Sequence, residues 1–192
     1  MKSIAIYCGS ALGHAEHFAQ TAREVGQTLA QRGLTLVYGG GCSGLMGVMA
    51  DSALAAGGIV IGVMPHLLVE SEIAHPHLTE LHIVNTMHER KTKMAELADG
   101  FVALPGGSGT FEEIFEQWTW AQLGIHQKPC AFLNVAGYYD AMFAMMDISM
   151  QCGFTLDRHV DKLIRSDNFE EILQRFAAYQ PPVPKWNQPA EA

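Results

Sequence analysis

Short apolar runs alternate along the chain with longer segments in which apolar residues recur every three or four positions. A continuous apolar run is typical of a strand buried on both faces, and the second pattern is typical of an amphipathic helix. Strands are predicted at 3–8, 35–38, 59–64, 81–84, 100–104, 130–134 and 163–165. Helices are predicted at 15–32, 45–56, 87–98, 111–123, 138–151 and 169–179, with an irregular loop at 66–79.

The regular exchange of strand and helix predicts the fold class. It is the pattern of an α/β protein built on a doubly wound parallel sheet with helices on both faces. A chain of 192 residues is long enough for one domain with a sizeable core. We therefore expect a single-domain Rossmann-like fold over residues 1–179. The tail, residues 180–192, holds four prolines and is expected to stay outside the core.

Glycine loops follow three of the predicted strands, at 9–13, 39–44 and 106–109. Ligands of doubly wound sheets bind outside the carboxyl ends of the strands, so these loops can converge on one ligand. In the third loop Pro105 ends the strand, the glycines permit close backbone approach, and Thr110 is expected to cap the helix. Free backbone N–H groups at the positive end of a helix predict a site for phosphate or carboxylate.

Charged side chains near this loop have two interpretations each. Glu112 and Glu113 are expected in the first helical turn, where the helix dipole alone favours acids, so spacing does not establish a catalytic Glu113. Arg90 and Lys91 lie one turn into the helix predicted at 87–98, where a solvated charged face is the ordinary outcome. A site that holds phosphate beside a carboxylate needs such cations, and arginine offers a bidentate fork.

A dinucleotide site is the alternative interpretation of the glycine loops. Gly39-x-Gly41-x-x-Gly44 has the spacing of the dinucleotide fingerprint, follows a strand and opens a helix. The fingerprint also needs an acidic residue about 20 residues further on to hold the ribose 2′-hydroxyl. Residues 64–66, which occupy that place, contain no acid. We therefore expect the loop to form part of a mononucleotide pocket.

Composition and charge narrow the choice of partners. The formal net charge is −8 and there is no long basic run, which argues against a nucleic acid polymer. The 4 cysteines are scattered without a C-x-x-C pair, which suits the reducing cytoplasm and gives no zinc motif. His75 and His77 have no third metal ligand nearby in sequence. No apolar run reaches the length of a membrane span, and we expect no membrane association.

Four segments together resemble one known family. Residues 105–113 match the LOG family signature Pro-Gly-Gly-x-Gly-Thr-x-x-Glu at every fixed position. Residues 87–91, Met-His-Glu-Arg-Lys, resemble its Met-His-x-Arg-Lys segment, and residues 8–10 and 38–47 resemble two further segments in the family's order. The family was long described as possible lysine decarboxylases. Its characterised members are cytokinin-activating nucleoside 5′-monophosphate phosphoribohydrolases.

The resemblance implies hydrolysis of the N-glycosidic bond of a cytokinin or purine nucleoside 5′-monophosphate, giving free base and ribose 5-phosphate. It implies catalytic roles for Glu113, which would stabilise positive charge on the ribose and direct the water, and for Arg90. The expected substrate-binding residues are Gly9, Ser10, Gly41, Glu72, Lys91, Gly106, Gly107, Ser108, Gly109, Thr110, Glu112 and Thr119. Ser108 occupies the variable position of the signature, which is often tyrosine.

The resemblance also implies a homodimer with the site close to the subunit interface. We expect no metal ion and no organic cofactor. Lysine decarboxylation would need a Schiff-base lysine with a phosphate cup for its cofactor, and only Lys91 and Lys93 lie near these motifs. A nucleotide-binding or carrier protein without turnover is the alternative, because the related folds include molybdenum cofactor carriers.

Overall fold

Seven parallel strands form one sheet in the computed structural model, which describes residues 1–69 and 74–186. The order across the sheet is β4-β3-β2-β1-β5-β6-β7. The strands are β1 (Ser3–Tyr7), β2 (Thr35–Tyr38), β3 (Val60–Pro65), β4 (Glu80–Val84), β5 (Phe101–Ala103), β6 (Cys130–Leu133) and β7 (Ile164–Ser166). The helices are α1 (Glu16–Gln31), α2 (Gly44–Ala55), α3 (His66–Val69), α4 (Met87–Leu97), α5 (Ser108–Leu123), α6 (Asp140–Gln151), α7 (Asp157–Val160) and α8 (Phe169–Ala177).

Alternating side chains of the central strands build two hydrophobic cores, one on each face of the sheet. From β1, Ile4 and Ile6 join the core beneath α1, α2 and α8. Ala5 and Tyr7 of the same strand join the core beneath α4, α5 and α6. Both faces of the sheet are thus covered by helices, which is why the central strands β1 and β5 are buried along their whole length. The doubly wound parallel α/β fold predicted from the sequence is confirmed.

The direction of winding reverses between β1 and β5, which lie side by side at the centre of the sheet. Ala5 pairs with Phe101 and Tyr7 with Ala103, so both strands end at the same level. Loops that leave neighbouring strands in opposite directions open a crevice above the sheet, where ligands of such folds bind. Two of the three glycine loops follow these two strands.

Three local features differ from the pattern-based prediction. The helix expected from residue 111 begins at Ser108, and its N-cap is Gly107, so the prediction that Thr110 caps it is wrong. Glu112 and Glu113 consequently lie in the second turn. The prediction placed the helix start at the first apolar residue, whereas Ser108, Gly109 and Thr110 before it already have helical geometry. The short helices α3 and α7 lie in segments that the pattern left irregular.

The described part of the tail runs along the end of α5. Its residues after the last helix stay outside both cores, and Val183 and Trp186 are exposed. The backbone N–H of Lys185 donates to the carbonyl of Gln122 at 2.9 Å. Among the described residues, no helix is long and apolar enough to cross a membrane.

Candidate active site

The three glycine loops meet above the carboxyl ends of β1, β2 and β5. The N–H of Gly9 donates to the carbonyl of Pro105 at 3.0 Å, and the N–H of Leu45 donates to the carbonyl of Gly9 at 3.0 Å. A side chain at Gly44 would overlap the backbone of Ser10, so glycine is required for this approach. The first loop is thereby held between the other two, as their positions at strand ends led us to expect.

The turn at 106–109 presents the N-terminus of α5 to solvent. Gly107, Ser108 and Gly109 are exposed, and no atom lies within 4 Å of a Cβ built on either glycine. Thr110 is buried, and its Oγ1 packs so closely on Gly106 that a Cβ there would overlap it. The backbone N–H groups of this turn are therefore open to a ligand at the positive end of a helix of 16 residues.

A cleft of about 270 Å³ lies beside this turn, between the first glycine loop and the start of α1. Its walls include Leu12, Phe18, Leu45 and Tyr138. The hydroxyl of Tyr138 donates to the carbonyl of Gly106 at 2.5 Å, and its ring contacts that of Phe18 edge to face at 5.8 Å between centroids. Sequence reasoning missed both aromatic residues, since neither lies in a glycine loop. Tyr138 reaches the turn from 32 positions away along the chain.

Arg90 and Glu113 form a buried ion pair at the carboxyl ends of the strands. Nη1 of Arg90 lies 3.5 Å from Oε1 of Glu113, and the two residues are 7% and 9% exposed. Nε of Arg90 donates to the carbonyl of Val63 in β3 at 3.1 Å. A Cβ added to Gly39 would overlap Nη2 of Arg90, so the second glycine loop makes room for the guanidinium. Arg90 and Glu113 are the two residues predicted to be catalytic, and they lie next to each other in the structure.

Lys91 points into the seam between α4 and α5. Its Nζ donates to Glu112 at 2.5 Å and to Glu116 at 3.0 Å, and the residue is 4% exposed. Burial alone would lower the pKa of Lys91, but its hydrogen bonds to the two carboxylates outweigh that effect, and the pKa lies above its ordinary value. Lys91 is therefore a fixed cation that joins the helices carrying Arg90 and Glu113.

The remaining predicted binding residues are placed unequally. Gly9 and Ser10 line the cleft beside the turn. Gly41 is buried in an isolated antiparallel bridge with Ala74, which anchors the segment that follows the undescribed stretch. Thr119 is exposed and lines a separate groove between α5 and α6, away from the ion pair. Glu72 lies outside the described residues.

Cys8 and His75 lie beside the glycine loops. Burial, together with the charge of Glu113, raises the pKa of Cys8, which keeps its thiol protonated. His75 is buried, and its Nε2 lies 3.0 Å from Asp51, while its Nδ1 accepts the N–H of His77 at 3.3 Å. Across residues 1–69 and 74–186, no group of three or more His, Cys, Asp or Glu side chains could hold a metal ion.

Sequence comparisons find relatives that match most of the chain. A sequence model of the family described as "possible lysine decarboxylase" matches residues 46–176. The chain is 42% identical over 180 residues to the cytokinin riboside 5′-monophosphate phosphoribohydrolase LOG of Oryza sativa subsp. japonica, covering 94% of this chain and 74% of the relative. It is 47% identical over 154 residues to the cytokinin riboside 5′-monophosphate phosphoribohydrolase of Rhodococcoides fascians, covering 80% of this chain and 78% of the relative.

A solved structure of the molybdenum cofactor carrier protein from Chlamydomonas reinhardtii has the same fold. Its TM-score is 0.66 at 19% sequence identity, and the match covers 93% of this chain and 99% of that one. At this identity the likeness concerns the fold alone. The family match over most of the chain and the identity to the two curated relatives show more: the chain belongs to the LOG family, whose sequence model carries the older description of possible lysine decarboxylase.

Proposed function

We propose that the protein hydrolyses the N-glycosidic bond of purine or cytokinin nucleoside 5′-monophosphates, releasing free base and ribose 5-phosphate. The names of its relatives, cytokinin riboside 5′-monophosphate phosphoribohydrolases, support this activity. The observation that carries the proposal is the buried pair of Arg90 on α4 and Glu113 on α5, the helix that opens at the exposed turn 106–109.

The 5′-phosphate binds at the N-terminus of α5. Gly107, Ser108 and Gly109 leave their N–H groups open, and the helix dipole favours a negative group there. Glu113 follows Gly109 by four residues, which is about 6 Å along the helix axis. A ribose ring with its 5′ carbon spans such a distance. Phosphate binding at the turn therefore carries the bond to be cleaved towards the carboxylate.

The cleavage builds positive charge on the ribose ring, as in other glycoside hydrolyses. The carboxylate of Glu113 stabilises this charge and accepts a proton from the water that attacks C1′. The C1′–N bond breaks, and the base leaves with the electron pair and takes up a proton from solvent. Arg90 positions the substrate and offsets the repulsion between the phosphate and Glu113. This route uses the chain's own side chains and needs no metal ion or organic cofactor.

The decisive experiment is chromatography of free base and ribose 5-phosphate after incubation with AMP, N6-isopentenyl AMP and adenosine. Glu113→Gln is compared with the parent protein, and Glu96→Gln, an exposed acid paired with Lys93 on α4, is the control. We expect base release from the nucleotides by the parent and the control, little release from adenosine, and loss of release in Glu113→Gln. Binding of AMP without release of base by the parent would support a carrier and overturn the hydrolase.

The protein acts as a homodimer through the groove between α5 and α6. A groove of about 390 Å³ runs past Thr119 and is lined by the exposed Met145, and Ile148 and Phe154, close to Met145 in sequence, are also exposed. Exposed apolar patches of this kind mark interfaces. Thr119 faces this groove and not the ion pair, so it would contact a nucleotide only if that nucleotide were bound in the site of a second copy. In analytical ultracentrifugation we expect the parent protein to sediment as a dimer and Met145→Glu to sediment as a monomer. A parent protein that sediments as a monomer would refute the proposal.

We place the protein in the cytoplasm. All of its cysteines, Cys8, Cys42, Cys130 and Cys152, are free thiols, and two of them are exposed. Exposed free thiols persist in a reducing compartment. Fractionation of cells that express the tagged full chain should find it with the cytoplasmic markers.

A further inference from the structure

The face of α5 that carries Glu113 continues inward with a second polar residue. Thr110, Glu113 and Gln117 are buried on this face at spacings of three and four positions, so they stand above one another along the helix. Gln117 is 0% exposed. Within the described ranges, neither its amide oxygen nor its amide nitrogen has a hydrogen-bond partner.

Tyr7 approaches the same place from the sheet. It is the last residue of β1, the strand against which α5 packs, and it is 1% exposed. Its hydroxyl also has no hydrogen-bond partner among residues 1–69 and 74–186. Burial raises the pKa of Tyr7, and Glu113 is the charge that raises it most, while Arg90 acts in the opposite direction. The phenol therefore lies in the field of the ion pair and stays protonated, which makes it a hydrogen-bond donor.

The two amide atoms of Gln117 and the hydroxyl of Tyr7 are thus buried without partners among the described residues, and burying such atoms unpaired is unfavourable. In native proteins such groups are commonly joined by ordered water, which bonds two to four polar partners. The amide of Gln117 and the hydroxyl of Tyr7 offer that number beside a carboxylate.

We propose that Tyr7 and Gln117 are positioning residues that orient the carboxylate of Glu113 by hydrogen bonds carried through a buried water on the sheet side of α5. The inference rests on the proposed function, since it assigns these residues to the same reaction. Donation towards the ionised carboxylate stabilises its charged form and restrains its rotation. Arg90 on α4, Tyr7 on β1 and Cys8 directly after β1 interact with the charge of Glu113. Cys130 on β6 and Glu116 on α5 also act on Tyr7, and Lys91 on α4 pairs with Glu112 and Glu116.

The test uses Tyr7→Phe and Gln117→Leu, which keep the volume of the side chain nearly unchanged. We expect each to lower kcat/KM for AMP about tenfold, to leave the Kd of AMP within twofold, and to move the acid limb of the pH profile to higher pH. The double variant should lose less than the product of the two single effects, since both act on one carboxylate. Tyr139→Phe is the control, because this buried phenol donates instead to the carbonyl of Leu104 at 2.6 Å. Tyr139→Phe should not shift the acid limb of the pH profile of kcat/KM.

Two outcomes overturn the inference. An unchanged pH profile in Tyr7→Phe, or a change in KM alone, would show that the phenol is only a core residue. Tyr7→Phe decides the matter by itself if Gln117→Leu does not fold. Titration of the ¹³C-labelled Glu113 carboxyl, assigned by its loss in Glu113→Gln, gives a readout that needs no turnover. If Glu113→Gln still released base, the proposed function would be refuted. The titration of Glu113 in Tyr7→Phe would then still test whether Tyr7 orients this carboxylate.

Discussion

Gly39→Ala tests whether the position of Arg90, as distinct from its charge, supports catalysis. The new methyl group would overlap Nη2 of Arg90, and Gly39 has no positive φ that would strain an alanine backbone. The obstacle is the end of a flexible side chain, so we expect the guanidinium to swing away while the fold persists. Arg90 then loses its bond to the carbonyl of Val63 and its contact with Glu113.

The size of each effect follows from these contacts. A hydrogen bond from a charged donor contributes roughly 1.5–3 kcal/mol, and part of this is recovered when the displaced guanidinium meets water. We expect a loss of about 1–2 kcal/mol in stability, or roughly 2–8 °C in Tm for a chain of this size. Misplacement of a charged group that orients substrate should lower kcat/KM for AMP about a hundredfold or more.

The assay is base release at saturating and limiting AMP, beside a thermal melt of the same preparation. Gly58→Ala is the matched control, because its Cβ would overlap the Cβ of Ala30 at 2.7 Å, far from the site. The control should lose stability and keep its activity per folded molecule. If Gly39→Ala retains activity within threefold of the parent while its Tm falls, the position of Arg90 does not matter and the reasoning is wrong.

Three further changes probe the surroundings of the site. Lys91→Met should lower the free energy of unfolding by about 2 kcal/mol in urea melts, because Glu112 and Glu116 lose a buried cation. Because folding raises the pKa of Lys91, its contribution to stability is fully present below pH 10.5, its ordinary pKa, and is lost as the pH rises through the higher folded-state pKa. Burial lowers the pKa of His126 to about 4, so the unfolded chain takes up a proton there before the folded protein does. The parent should therefore lose up to about 3 kcal/mol of unfolding free energy as the pH falls from 6.5 to about 4, an upper limit that solvent screening reduces. His126→Gln should flatten this pH dependence. Tyr138→Phe removes the bond to the carbonyl at 106 and should weaken AMP binding about fivefold by calorimetry, whereas an unchanged Kd would exclude Tyr138 from the phosphate site.

The sequence was sufficient for the features that depend on local chemistry. Apolar runs located the strands because both faces of a parallel sheet are buried, and glycine loops after the strands located the crevice. The start of α5 was placed three residues late because the apolar pattern begins at Phe111, whereas the helix begins at Ser108. The spacing of apolar side chains does not show whether a glycine residue before them adopts helical backbone angles.

Features that depend on distant parts of the chain could not be predicted in this way. The spacing of Lys91 gave the helix face on which it lies, but the pairing with Glu112 and Glu116 depends on how α4 packs on α5. Tyr138 follows a short 3-10 turn, Val135–Gly137, after β6, and only the sheet order brings it to the turn after β5. The sequence therefore indicated candidate binding and catalytic residues, and the topology supplied their structural partners.

The most direct test of the proposed function is a single-turnover measurement with enzyme in excess over AMP, in which free adenine is followed with time. The parent protein and Glu113→Gln are compared, and the Kd of AMP is measured by calorimetry on the same samples. We predict that Glu113→Gln binds AMP within about threefold of the parent and releases adenine at least a thousandfold more slowly, because the lost carboxylate acts on the transition state. Adenine release by Glu113→Gln within tenfold of the parent rate would contradict the account.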